Sequence, residues 1–254
     1  MKKTTKNILI KVGFMLFTAM FMTLAISAKM VRDKQVITDM KIDIDHTTGN
    51  FFITDEDVMQ QLADMLPDSG QVMHIEYLKQ LEENLQKIAQ VKESNVFVNN
   101  IGQLTIDIKQ RKPIYRIIKP NMKSYYVDPS GFKFPVSKKY TANVPVVTGF
   151  IADNGLDTGL IVTERSKEIK EVMDYILNDP FLTAQFGQVD ITDKGEMELV
   201  PRVGNHVVVI GDSKNLEDKI KRLKVFYKEG LTKTGWNAYK VINVKYKDQV
   251  VCSK

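Results

Sequence analysis

Apolar and polar positions divide the chain into three textures. From Val12 to Ala28 the sequence VGFMLFTAMFMTLAISA carries no charge, and Lys2, Lys3, Lys6 and Lys11 stand before it. With Ile8–Ile10 included, the run approaches the roughly 20 residues a helix needs to cross a bilayer core of about 30 Å. The pattern predicts a short tail over 1–11 and a membrane-spanning helix over 12–28, with the basic residues holding the N-terminus in the cytoplasm. A cleaved secretory signal is the rival reading, because a basic start, an apolar run and the small residues Ala25, Ser27 and Ala28 fit it too. The run exceeds the usual h-region of about 7–15 residues and no Pro or Gly follows it directly, which favours the anchor. Either reading exports the rest of the chain.

The second texture runs from Val36 to Gln110. Val36–Ile44 alternates in part, with Ile42 and Ile44 flanking Asp43, as a half-buried strand does. Gly49-Asn50 marks a turn. Thr54 stands at an N-cap position, and Asp55, Glu56 and Asp57 put negative charge on the first helical turn. Val58, Leu62, Met65 and Leu66 keep helical spacing up to Pro67. A second amphipathic helix is predicted over Ile75–Ile88, from Leu78, Leu81, Leu85 and Ile88. Val96 and Val98 then lead through Asn99-Asn100-Ile101-Gly102 into the alternating Leu104, Ile106 and Ile108, a hairpin. The order is strand, helix, helix, strand, strand.

Beyond Pro113 the apolar runs shorten: Ile114–Ile118, Tyr125–Val127 and Val144–Val147, cut by turns such as Asp128-Pro129-Ser130-Gly131. Helices are predicted over Glu164–Leu177, stopped by Asn178 and Pro180, and over Leu216–Lys228. Strands are predicted over Gln188–Ile191, Met197–Pro201, His206–Ile210 and Tyr239–Tyr246. There is no convincing internal repeat.

Composition narrows the chemistry. The net charge of +5 includes the N-terminal lysines, so the remainder is only mildly basic and nucleic acid is not an expected partner. Cys252 is the only cysteine, which rules out an internal disulfide. His46, His74 and His206 lie far apart without zinc-ligand spacing. Asp43, Asp45 and His46 match no cation-binding motif and read more simply as solvated groups at a strand end. Gly204-Asn205-His206 is a strand-joining turn, not a phosphate loop, with His206 partly packed. No nucleophile elbow occurs, and Cys252, near a free end, has no walls around it and reads as an incidental exposed thiol. We assign no catalytic, cofactor-binding or metal residue, and no small-molecule substrate. Lys109, Arg111, Lys112, Arg116 and Lys119 form a basic cluster. It suits either anionic headgroups and an acidic partner, or a solvated strand face, which is what charge runs usually are.

Several strings resemble the FtsQ/DivIB family of bacterial cell-division proteins. Gly49-Asn50-Phe51-Phe52-Ile53-Thr54 is similar to the turn into the first helix of a POTRA domain, and Gln110-Arg111-Lys112-Pro113-Ile114 to the basic-Pro junction between the family's two domains. Tyr126-Val127-Asp128-Pro129-Ser130-Gly131 and Pro145-Val146-Val147-Thr148-Gly149 resemble the opening of its β domain, and Trp236, Tyr239, Val244, Lys245, Tyr246 and Val250 its closing strand. The resemblance implies an α+β chain: an N-terminal transmembrane helix, a POTRA domain (β-α-α-β-β) over 36–110 and a mostly antiparallel β domain with two or more helices over 111–254. It also implies a non-enzymatic, single-pass inner-membrane protein, mostly periplasmic, at the division septum.

An exposed sheet edge offers unpaired N–H and C=O groups to which a partner can add a strand. In the family this end of the β domain takes up the small bitopic proteins FtsB and FtsL. The positions matching that region are Lys245, Tyr246, Asp248, Gln249 and Val250, with Val244 in the same strand and Trp236 and Tyr239 just before it. A central core strand would show the same alternation, so the pattern alone leaves edge and centre open. Two other classes stand beside this one: a POTRA-containing periplasmic adaptor in envelope or outer-membrane protein assembly, and an exported hydrolase, for which no converging His, Asp and Ser are visible.

Overall fold

In the computed structural model of the chain, the described residues are 11–24, 27, 35–66, 72–119, 124–152 and 158–254. They divide into two units, one holding residues up to Asp45 with Ile53–Gln110, the other His46–Phe52 with Arg111–Lys254.

The first unit contains β1 (Gln35–Val36), β2 (Asp39–Asp45), α1 (Asp55–Leu62), β3 (Val72–Met73), α2 (Ile75–Leu85), β4 (Val91–Val98) and β5 (Gln103–Gln110). Its three-stranded sheet has the order β2-β5-β4. β2 runs parallel to β5, and β4 antiparallel. Strand, helix, helix, strand, strand is a POTRA-like arrangement, to which β1 and β3 add a short antiparallel ribbon. α1 starts at a capping box, in which the Thr54 N–H donates to Asp57 Oδ2 at 3.0 Å. Val58 and Leu62 of α1 and Leu81 and Leu85 of α2 are fully buried, as are Leu104, Ile106 and Ile108 of the central strand. The β4–β5 turn closes because Asn99 Oδ1 accepts the N–H groups of Ile101 and Gln103, with Gly102 at φ +81°.

The second unit is built on a ten-stranded sheet. Its elements are β6 (Tyr115–Ile118), β7 (Ser124–Val127), β8 (Phe132–Pro135), β9 (Val146–Gly149), β10 (Gly159–Leu160), α3 (Glu164–Leu177), α4 (Pro180–Gln185), β11 (Phe186–Ile191), β12 (Met197–Pro201), β13 (Val207–Gly211), α5 (Leu216–Val225), a π-helical turn (Phe226–Leu231), α6 (Thr232–Thr234), β14 (Val241–Asn243) and β15 (Val251–Ser253). The sheet order is β10-β8-β7-β6-β9-β11-β12-β13-β14-β15. One face is packed by α3, α4 and α5, through Ile169, Val172, Met173, Leu182, Ile220 and Leu223. On the other face Phe52 is buried among the rings of Tyr126, Phe134 and Tyr140. Asp179 caps α4 by accepting the Leu182 N–H at 3.1 Å, and Pro180 occupies the first turn. The proline that stops α3 therefore also starts α4.

One buried charge organises the β7–β8 turn. Asp128, 3% exposed, accepts the N–H groups of Ser130 at 2.9 Å and Phe132 at 3.0 Å. Its other oxygen takes Arg111 Nη1 at 2.8 Å, and that guanidinium lies 3.6 Å from the centre of the Phe132 ring.

Two expectations are corrected, and the pairing within the large sheet is specified. Among the described residues no helix is long and apolar enough to cross a membrane. Residues 11–24 are helical; Ala25, Ile26 and Ala28 of the predicted span, and the tail over 1–10, lie outside the described residues. The large sheet is mixed: β6–β9, β9–β11 and β13–β14 pair in parallel, and the other six neighbouring pairs are antiparallel. The strand expected over Tyr239–Tyr246 ends at Asn243, and a separate strand follows at Val251.

The sheet face away from the helices carries a like-charge pair. Asp190 of β11 and Glu198 of β12 are directly opposed, Thr148 donates to Asp190, and burial with the Asp190 and Glu196 carboxylates raises the Glu198 pKa. A raised carboxyl pKa in the folded state means that ionising Glu198 opposes folding, a penalty absent below the unfolded pKa and complete above the folded one. Glu198→Gln should therefore stabilise the protein by about 0.5 kcal/mol at pH 7, the scale of a cross-strand pair, with the gain vanishing toward pH 4 in urea titrations. Asp128→Ala should cost about 3–5 kcal/mol in the same assay, because it breaks a largely buried ion pair with Arg111 and removes the acceptor of two turn N–H groups.

Candidate functional site

The end of the large sheet combines parallel and antiparallel pairing. β14 runs parallel to β13, and β15 returns antiparallel to β14. Val207 N–H donates to the Lys240 carbonyl at 2.9 Å and Val244 N–H to the Val209 carbonyl at 3.0 Å. The Lys240 carbonyl, the main-chain groups of Ile242 and the Val244 N–H thus turn toward β13, whereas the Lys240 N–H donates to the Ser253 carbonyl at 2.8 Å and the main-chain groups of Val241 and Asn243 turn toward β15. Ser253 and Val251, their register partners, face back. Cys252 between them turns its N–H and C=O to the open side, where no strand among the described residues pairs.

β14 stops for identifiable reasons. Asn243 Oδ1 accepts the Lys245 N–H at 3.0 Å, an Asx turn that leaves the strand path. Asp248 has φ +57°, which reverses the chain toward β15. The carbonyls freed by this departure are collected by α5: Arg222 Nη2 donates to Val244 and Tyr246, each at 2.9 Å, while Nη1 is ion-paired to Asp218. Lys245 Nζ donates to Glu196 at 2.7 Å, which raises its pKa, and lies 5.2 Å from the Tyr246 ring centre.

A hollow of about 630 Å³ lies between the exposed side of α5 and the turn Asp248–Val250. Val225, 56% exposed, and Phe226 form its apolar wall. Phe226 leans on Tyr239 with ring centres 6.0 Å apart.

The predicted positions fall into three groups. Val244 is fully buried, so its side chain is core. Trp236, Tyr239 and Val250 are partly buried against the same core. Lys245 is half-buried and paired, whereas Tyr246, Asp248 and Gln249 are exposed. Asp248, Gln249 and Val250 meet at the hollow; Trp236 lines a different one. Sequence reasoning missed Arg222, Val225, Phe226 and the strand around Cys252, which is half-buried and not an exposed thiol. Burial raises that thiol's pKa. Val225 and Phe226 carried a legible signal: they are apolar, yet Val225 falls off the core stripe of Ile220, Leu223 and Tyr227.

The remaining candidates are occupied by structural contacts. Lys109 pairs with Glu93, Arg111 with Asp128, and Arg116 donates to Ser124. His206 is buried, shares a 2.6 Å hydrogen bond with the Tyr227 hydroxyl, and is held below its usual pKa by burial. His46 Nδ1 lies 2.9 Å from the Asn50 carbonyl oxygen. Among the described residues no three metal-ligating side chains cluster.

Comparison with known proteins gives one family. No curated protein matches. A solved structure, POTRA1-2 of the periplasmic domain of Omp85 from Anabaena, is similar over 63% of this chain and 94% of that one, at 10% identity and a TM-score of 0.26. So low a score carries no inference. The sequence model of the family described as FtsQ/DivIB, C-terminal related, matches residues 112–253, which hold the large sheet, its helices and the open edge. The chain belongs to the FtsQ/DivIB, C-terminal related, family.

Proposed function

We propose that this chain is a non-enzymatic scaffold of bacterial cell division that takes up an extended segment of FtsB- or FtsL-like proteins as an added strand on β15. Its POTRA-like unit directs it to the division septum in this reading. The observation that carries it is the outward N–H and C=O of Cys252 on an open sheet edge, beside a hollow with an apolar wall. Main-chain pairing supplies affinity in such complexes, and side-chain pockets flanking the edge supply selectivity. Tyr246, Asp248, Gln249 and Val250 would contact residues flanking the added strand, while Trp236, Tyr239 and Val244 support the site from the core side and Lys245 braces the turn. Family membership supports the cell-division role.

Two substitutions separate edge pairing from side-chain contact. Cys252→Pro removes the outward N–H without touching a bond to β14, and proline is tolerated on an edge strand whose N–H faces solvent. It should weaken binding of an FtsB periplasmic segment at least tenfold in calorimetry, while Cys252→Ala binds as the parent does and both melt cooperatively. Equal binding by the two variants would contradict strand addition. Arg222→Gln leaves the Val244 and Tyr246 carbonyls without their donor. It should cost about 1–3 kcal/mol in denaturant unfolding and speed amide exchange at Val251 and Ser253, the β14-facing residues of the edge.

A further inference from the structure

We infer that the hollow walled by Phe181, Tyr227 and Trp236 is a second docking point, which takes a bulky apolar side chain of a partner peptide whose neighbouring residues are acidic. This goes beyond strand addition at β15 and does not rest on it.

The walls are preformed. Tyr227 meets Phe181 edge-on with ring centres 5.9 Å apart, and Trp236 at 5.4 Å. Tyr227 is 3% exposed, and its hydroxyl is fixed by the buried His206. Phe181 sits in the first turn of α4, set by Pro180, and keeps 40% of its surface exposed. The π-helical turn puts Tyr227 into one wall and Lys228 on the rim, and such turns are frequent at functional sites. The space, about 430 Å³, lies within the range of ligand sites and accepts one or two large side chains. Apart from two lysines and Thr232, the lining is aromatic.

Charge specifies what flanks the apolar anchor. Lys221, Lys224 and Lys228 recur at three- and four-residue spacing along one side of the helix, a line about 10 Å long. Lys224 is ion-paired with Asp179 and lies 6.0 Å from the Phe181 ring centre. Lys228 lines this hollow and Lys221, one turn before Lys224, lines the hollow beside the Asp248–Val250 turn; both are exposed, and neither is ion-paired among the described residues. An acidic segment beside the anchor residue would meet both. A membrane surface fits less well, because the rings face one another around a hollow, whereas insertion among headgroups needs apolar side chains that protrude.

Trp236 is the only tryptophan of the chain, so its emission reports this hollow directly. Three synthetic hexapeptides serve as probes on the full chain: Glu-Asp-Leu-Phe-Asp-Glu, the charge-reversed Lys-Lys-Leu-Phe-Lys-Lys, and Glu-Asp-Ala-Ala-Asp-Glu. Only the first should shift Trp236 emission saturably. Its apparent affinity should fall at least tenfold in Phe181→Ala and in the double variant Lys221→Glu, Lys228→Glu. The double variant, altered only at exposed positions, should instead bind the lysine-flanked peptide. Cys252→Pro should respond as the parent does, which separates this site from the sheet edge. An absent or non-saturating shift, an equal response to all three peptides, failure of the charge-reversed pair, or a shift produced only by phosphatidylglycerol vesicles would overturn the proposal.

Discussion

The open edge of the large sheet depends on Arg222. β14 is only three residues long, and its departure at Asn243 leaves the carbonyls of Val244 and Tyr246 outside any ladder. Val244 is fully buried, so its orphaned carbonyl would carry a full desolvation penalty. One guanidinium group on α5 accepts this duty for both carbonyls and is anchored in turn by Asp218. The reversal at Asp248 can then bring Val251–Ser253 back against β14. Helix, turn and edge strand are thus one mechanical element, and the hollow between α5 and the turn is a by-product of how Arg222 spans them.

Elsewhere in the second unit, several charged and polar groups withdrawn from solvent are committed to one another, although the buried Tyr115 hydroxyl has no hydrogen-bond partner among the described residues. Asp128 is consumed by Arg111 and by its own turn; Lys219, 5% exposed, donates to both the carboxylate and the carbonyl of Asp212, which lowers the Asp212 pKa. His206 is consumed by Tyr227. These pairs hold loops and helix ends and do not converge on a shared cleft. What remains open to a partner is main chain at β15 and apolar or cationic surface along α5 and the π-helical turn, the equipment of a recognition surface.

Local periodicity made much of this legible. The helix over Glu164–Leu177 and the strand over Met197–Pro201 are read directly from spacing and turn residues. The strand, helix, helix, strand, strand order of the first unit is equally plain, since each element carries its own amphipathic face and capping or turn signal. Parallel pairing was not legible, because β6–β9 and β13–β14 join strands separated by long connections that leave no local mark. The closing strand misled for a different reason. Tyr239–Tyr246 reads as one strand, with Tyr239, Val241, Asn243 and Lys245 on one face and Lys240, Ile242, Val244 and Tyr246 on the other, but Asn243 uses its side chain to turn the chain, and a three-residue strand behind a seven-residue gap has too little pattern to be seen. Val244 therefore went from candidate contact to core, and Cys252 from incidental thiol to the residue whose main chain faces outward. The span predicted over 12–28 was read from apolarity and its basic flank, and no helix among the described residues is long and apolar enough to cross a membrane.

The central claim concerns one amide. In the free protein, Val251 and Ser253 face β14 and Cys252 faces solvent. Residue-resolved amide hydrogen exchange by NMR, with and without a saturating FtsB periplasmic segment, reads this directly. The account predicts that Cys252 exchanges fast in the free protein and becomes protected on binding, while Val251 and Ser253 are protected in both states. A bound complex in which the Cys252 amide still exchanges at its free rate would contradict it.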